Sequence, residues 1–506
     1  MHRRPSFTLA AITAAVGLLA TVPAAADPAG YLTSEPAAIT LAPGVPSGSS
    51  VTPIINSGDV LGDFEFQGLP DGIGLAPGST AGAVDVYVAH EQTTVPFFGT
   101  ADFEDASVSK LTLSTATAAV LDASVAVSPD LGYLRFCSAS MAGPAEGFDD
   151  HVFFTGEESN DIVPVAPGAD FGPDPALDPL RQAGYAVALN TATGVSAHIP
   201  GMGRLNHENT IWLPGYSRLA GLTTDDTFDG PSAQLYLYTV NDQEGLFADR
   251  GALWAFRVTA TDEGPVDATD PFNGANDYLD IRPGDDFAGE FIRVPKDIAR
   301  GETDVAPQAA LEEWSNDNNV FQFIRLEDIA YDPDDPHVVY FADTGRSRVV
   351  PDPTTGRLVR GPSGTVGQAD NGAVFKFVMD PHNPRKVDSF SMVAQGDDPS
   401  AGAYVPFVSP DNLDVSSASL MVQEDTDDAS IWQHEFASGD WRVVATVNDP
   451  DGESSGIVDA SEWFGPGAWL LDVQAHGSNV REEVDADGVL RKLEDGQLML
   501  LRLPGS

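Results

Sequence analysis

An all-β chain is predicted, specifically a β-propeller with a central metal-binding channel and acidic surface insertions. Three features of the sequence predict it. Short β-rich runs alternate with turn residues over most of the chain. Glycine (49) and proline (38) are abundant among 506 residues, which suits many short strands joined by turns. Finally, strand-like runs repeatedly end in one or two acids, pass through a loop and resume in a run of the form L-Y-x-Y or V-F-K-F. Radial repetition of four-stranded sheets accommodates this grammar. At about 150 residues per domain the length admits three domains. No composition break divides it, so one propeller over residues 27–506 is expected.

In chain order, the first element is a targeting segment. Arg3 and Arg4 precede an apolar run from Leu9 to Ala20, followed by Ala24-Ala25-Ala26. This is the layout of a signal peptide at residues 1–26, of secretory or twin-arginine type, and it predicts an exported, periplasmic or extracellular protein. Its apolar run is too short to span a bilayer, and no later stretch reaches about 18 apolar residues. Residues 27–60, rich in Pro, Gly, Ser and Thr, read as an extended lead-in. Strand runs follow, among them Val84–Val88, His151–Phe154, Gln234–Tyr238, Val338–Phe341 and Ala373–Phe377. Residues 161–180 and 259–288 are acidic, Pro-rich and read as surface insertions. Asp304 to Trp314 is a short helix candidate.

Charge narrows the function. The chain carries 76 Asp+Glu against 26 Lys+Arg, a formal net charge of −50. Such a polyanion repels phosphate backbones, which excludes nucleic-acid binding. Hydrophobic content of 42% excludes global disorder. One cysteine excludes an intramolecular disulfide and a Cys-rich zinc site.

The acid-bearing strand ends are Glu91, Glu157-Glu158, Glu208, Asp225-Asp226, Glu327-Asp328 and Glu424-Asp425. Each acid alone reads as a turn cap. Converging on a propeller axis, they would disfavour one another's charged form unless cations sit among them, and calcium takes about six to eight oxygen ligands. Arg325 lies two residues before Glu327, which on a strand places both on one face. This is either a simple Arg–Glu pair or a guanidinium poised for phosphoryl oxygens. Cys137 reads as an inert buried thiol or as a soft metal ligand. Glu483, Asp485, Asp487, Gly488 and Glu494 carry EF-hand-like spacing, for which a β-turn is the competing reading. No G-x-S-x-G, Walker A, H-E-x-x-H or dinucleotide fingerprint is present.

Six ordered segments carry a resemblance. They are RFCSASM…DDHVFFTGEESND, GMGRLNHENTIW, SRLAGLTTDD…QLYLYTVND, IRLEDIAYDP, SPDNLDVSSASLMVQEDTDDASIWQ and ESSGIVDASEWFGPGAWLLDVQAH. Together, over roughly residues 60–480, the chain resembles the PhoX-type alkaline phosphatase family of secreted bacterial proteins. The resemblance implies a propeller with a calcium–iron cluster in its channel that hydrolyses phosphate esters. It implies metal ligation by Cys137 (to iron), Glu158, Glu208, Asp226, Glu327 and Asp411, with Arg325 as the catalytic phosphate-holding arginine. The expectation is a secreted monomer acting on small-molecule phosphate monoesters. A phytase or phosphodiesterase on the same scaffold is a related reading. A non-catalytic, calcium-stabilised propeller binding a surface polymer or partner protein is the alternative.

Overall fold

The computed structural model describes residues 30–92, 105–227, 230–426, 429–450, 452–484 and 490–505, without the side chains of 475–483 and 490–495. The signal-peptide segment lies outside these residues, as do the side chains on which the EF-hand-like spacing rests.

Successive antiparallel strands build six blades around one axis. Blade 1 comprises Pro70–Pro77, Ala83–His90, Ser107–Ser114 and Val120–Val127. Blade 2 comprises Phe136–Ala142, Val152–Glu157, Ala186–Asn190 and Val195–His198. Blade 3 comprises His207–Trp212, Leu219–Asp225, Leu235–Val240 and Ala252–Thr261. Blade 4 comprises Leu326–Asp332, Asp335–Asp343, Ala373–Met379 and Lys386–Gln395. Blade 5 comprises Pro410–Val415, Ser419–Glu424, Ser430–Glu435 and Trp441–Val447. Blade 6 comprises Gly452–Asp459, Ala468–Val484 and Leu490–Arg502. Blades 3 and 4 are joined at their outer edges by Phe287–Arg293, so the two form one ten-stranded sheet. The first strand of every blade is innermost, and each packs on the next around the ring, blade 6 returning to blade 1.

The hydrophobic clusters follow the same count, with one in each seam between neighbouring blades. A strand between two seams is buried on both faces, so its apolar run is continuous. In blade 3, Leu235 and Leu237 enter the seam with blade 4, while Tyr236 and Tyr238 enter the seam with blade 2. The L-Y-x-Y grammar is thus one strand serving two cores. Likewise Phe375 and Phe377 join a run of edge-to-face phenylalanines against blade 3, while Val374 faces blade 5.

Two expectations need correction. Residues 27–60 are not merely a lead-in: Ile39–Leu41 pairs with blade 5 (Ile39 opposite Val447), and Ser50–Asn56 supplies the fourth strand of blade 6 (Ser50 opposite Arg502). Nor is 161–180 wholly a surface insertion. Asp174 is buried and bonded to buried Arg204 through two nitrogens, at 2.7 and 3.1 Å, which pins the segment to the barrel. The helix expected from Asp304 forms at Pro307–Asp317, with proline at its first turn, where a missing N–H costs nothing. Among the described residues, no helix is long and apolar enough to cross a membrane.

Candidate metal centre

The innermost strands start at one face of the propeller, here called the upper face. The second residue of each points into the channel series Asp71, Cys137, Glu208, Glu327, Asp411 and Glu453. In blades 1 to 5 this residue belongs to a β-bulge. Two inner-strand residues oppose one on the neighbour: Asp71-Gly72 face Ala89, Cys137-Ser138 face Gly156, and Glu208-Asn209 face Thr224. Glu327-Asp328 face Ala342, and Asp411-Asn412 face Gln423. A bulge adds local twist and re-aims a side chain, here five times around one axis. The tightness of the ring shows at Gly72, where a Cβ would lie 1.9 Å from the Ala139 nitrogen.

A second tier follows the second strand of blades 1 to 5: Glu91, Glu158, Asp226, Thr344 and Asp425. Their backbone N–H groups all donate to the carbonyl two residues before the ring position, on Leu69, Arg135, Asn206, Arg325 and Ser409. The repeated bond shows that these positions are equivalent. It also corrects the expected grammar, because Glu208 and Glu327 begin inner strands, whereas Glu91, Glu158 and Asp226 follow the ends of second strands.

Three sets of side chains bring potential ligand atoms within 4.8 Å of one another: Asp71, Glu91 and Cys137; Cys137, Glu158 and Glu208; Glu208, Glu327 and Asp411. Cys137 and Glu208 each belong to two sets, so the sets run together across the channel. All of these carboxylates are buried or nearly so. Both oxygens of Glu208 and one of Asp71 accept no hydrogen bond among the described residues. Burial first, then neighbouring carboxylates, push the acids of Asp71, Glu208, Glu327 and Asp411 well above their ordinary range. The same causes raise the Cys137 thiol. Buried acids without donors are what a cation site leaves when its own charge is the missing partner. Glu208, Glu327 and Asp411 form an all-oxygen set that fits a hard cation, while the sulfur of Cys137 admits a softer one.

Two arginines flank the tiers. Arg325 holds Asp226 through two nitrogens (Nε–Oδ1 2.8 Å, Nη2–Oδ2 2.6 Å) and stands 3.4 Å from Glu327. It precedes the strand rather than sitting within it, and its main partner is Asp226, not Glu327. Asp226 accordingly stands beside the ligand sets, not in them. Arg135, in the equivalent position of blade 2, reaches Glu91 at 2.5 Å and Glu158 at 3.6 Å. Each arginine thus binds the second-tier acid of the preceding blade, and Arg135 also reaches that of its own.

Below the ring, side chains close a floor. Asn209 donates to Asp328 at 2.5 Å, Asp328 accepts from the Leu413 nitrogen at 3.0 Å, and Ser138 donates to the Glu208 carbonyl. Burial raises Asp328 to about 7. Beneath this floor a cavity of about 440 Å³ opens at the lower end of the channel.

The structure therefore brings Cys137, Glu158, Glu208, Glu327 and Asp411 together, with Asp226 and Arg325 against them. Sequence reasoning missed Asp71, Glu453 and Arg135, and noted Glu91 only as a strand end. Pro70-Asp71 and Pro410-Asp411 share a proline–acid start, and Arg135 and Arg325 share a place two residues before the ring. Either pairing was visible as a signal.

No protein-family model matches the chain, and no curated protein matches it. Similar solved structures share only the broad architecture. A subtype N11 neuraminidase-like protein of A/flat-faced bat/Peru/033/2010 has 10% identity and a TM-score of 0.37, over 87% of this chain and 89% of that one. The acylaminoacyl peptidase of Pyrococcus horikoshii has 7% identity and a TM-score of 0.30, over 84% of this chain but 52% of its own. Saccharomyces cerevisiae Sqt1 has 8% identity and a TM-score of 0.28, over 85% of this chain and 96% of its own.

Proposed function

We propose that the chain is an exported, metal-dependent phosphatase that hydrolyses phosphate monoesters at the upper end of its channel. The observation that carries this reading is Glu208, whose two buried oxygens lack hydrogen-bond donors among the described residues and which two ligand sets share. Asp71, Glu91, Glu158, Glu208, Glu327 and Asp411 would hold calcium, and Cys137 would bring iron into the same cluster. The resemblance to PhoX-type phosphatases supports that pairing. Cations held by these residues would supply polarisation of phosphoryl oxygens and would offset charge on the attacking and departing oxygens.

The chain's own part is orientation. Asp226 holds Arg325 through two nitrogens and so fixes the plane of the guanidinium that would meet an equatorial phosphoryl oxygen. Arg135 stands at the corresponding place in blade 2. The buried floor keeps the ring residues from the lower cavity. A non-catalytic, calcium-stabilised propeller is the second reading. It is favoured by the acids that already engage both arginines.

The test is aryl phosphate hydrolysis by the purified protein, with metal analysis, before and after calcium chelation. Hydrolysis lost on chelation supports the phosphatase. In Arg325→Lys the planar donor is lost, and turnover should fall by about 10²–10³-fold at unchanged metal content. Bound calcium without any hydrolysis establishes the second reading instead.

A further inference from the structure

The lower, outer margin between blades 3 and 4 holds a cavity of about 370 Å³ whose lining runs against the composition of the molecule. With 76 acids to 26 bases, an arginine here has carboxylates to spare as partners. Yet Arg218 and Arg385 line this cavity, no Asp or Glu lines it, and Arg293 stands beside its aromatic wall. None of the three guanidiniums forms an ion pair or a side-chain hydrogen bond among the described residues. The nearby acids Asp380 and Asp388 are already engaged by Lys386.

The setting is built rather than incidental. Trp254 forms the wall, its indole fixed by a hydrogen bond to Thr239 Oγ1 at 3.0 Å. Arg385 stands 4.7 Å from the ring centroid, and Arg293, its cross-strand neighbour, 5.9 Å. Stacking holds a guanidinium's plane while leaving its N–H edge for a ligand. The Arg385 backbone is held by its carbonyl, which accepts from Phe291 N–H at 2.8 Å. Arg218 comes from the turn after His207–Trp212, and that turn is tied to blade 4 by Tyr216, whose hydroxyl donates to the Asp380 carbonyl at 2.9 Å. That turn follows the end of an inner strand, so the cavity lies on the face opposite the metal centre.

We infer that this cavity is a binding site for an anion bearing two or more oxyanion groups, such as a bisphosphate or bis-sulfate ester, gripped by Arg218 and Arg385 against Trp254. The molecule's net charge repels anions at long range, so binding depends on short-range, charge-assisted hydrogen bonds. The site is independent of the phosphatase reading.

The probe is benzene-1,3-disulfonate, which is neither hydrolysed by a phosphatase nor a strong calcium chelator. Titrated into the full chain, it should change the fluorescence of Trp254, and Trp254→Phe should remove that signal. Arg218→Ala combined with Arg385→Ala should weaken calorimetric binding by about tenfold or more. Glu208→Gln should bind as tightly as the parent. Ethane-1,2-disulfonate asks whether the aromatic wall adds affinity. Either disulfonate binding with loss in the arginine variant upholds the site. Binding of neither, or equal affinity in parent and double variant with an unchanged melting temperature, overturns it.

Discussion

Glu157 and Glu158 are consecutive, equally buried and opposite in circumstance. Glu157 turns outward from the channel into a pocket built for its charge. Arg181 grips both its oxygens at 2.7 and 3.0 Å, and the Leu134 and Tyr185 nitrogens donate to it at 3.0 and 3.1 Å. Phe171 covers the guanidinium at 4.3 Å, and beyond it Arg204 pairs with Asp174 over Tyr185. Glu158 turns inward, where Arg135 at 3.6 Å is shared with Glu91, and where the charges of Glu91, Asp226 and Arg325 also act on it. Burial pushes its carboxyl up despite Arg135 and Arg325. Buried charge supplied with its counter-charge is architecture; buried charge left short of counter-charge must either keep its proton or take a cation from outside.

The largest effect should come from breaking the supplied pair. Arg181→Met leaves Glu157 buried without its counter-charge and should cost about 3–5 kcal/mol in denaturant unfolding, with or without calcium. Removing bound cations should act only on the channel. A cation present at 100 times its Kd contributes about 2.7 kcal/mol, so chelation should lower the melting temperature of the parent. A melting temperature indifferent to chelator would mean that the three ligand sets hold no calcium.

Smaller, and opposite in sign, is Glu208→Gln in the chelated protein. It removes one ionisable group from a cluster whose acids disfavour one another's charged form and should raise stability by about 1 kcal/mol under alkaline conditions while abolishing the response to calcium. The chelated protein should also lose stability as pH rises. Burial raises Asp414 from 3.8 to about 8 and Asp343 from 3.8 to about 7. Each therefore keeps a proton in the folded state that the unfolded chain releases. The stabilisation is full below about pH 4 and is lost by pH 7–8, so melting temperature should fall between pH 5 and 8. Asp414→Asn should flatten that slope. Least of all, Arg250→Ala breaks an exposed pair with Glu244 and should shift stability by less than about 0.5 kcal/mol.

The propeller was legible because its strands are buried on both faces and its turns are punctuated by Gly, Pro and Asp. Cys137, Glu208, Glu327 and Asp411 were expected together from the proposed resemblance to PhoX-type phosphatases, and their side chains do lie together in the channel. The equivalence of the ring positions was not. Each depends on a bulge, and a bulge is a relation between two strands that neither strand states alone. Asp71 follows a proline and precedes glycine, which on its own reads as a turn. Arg135 has a positive φ of 48°, a conformation its side chain does not announce. Glu157 and Glu158 looked interchangeable, because Arg181, which separates their fates, lies beyond the intervening insertion.

The two N-terminal strands carry a further consequence. Ile39–Leu41 and Ser50–Asn56 lie against Trp441–Val447 and Leu490–Arg502, so the ring is shut by segments from opposite ends of the chain. Contacts this distant in sequence carry a large loop-closure cost and favour slow folding. The clasp also sets an order on assembly. Asp71 and Cys137 belong to the first blades and Asp411 to the fifth, so they face one another only in a closed ring. A chain without its last described strands lacks this convergence, so the candidate metal ligands come together only late in folding.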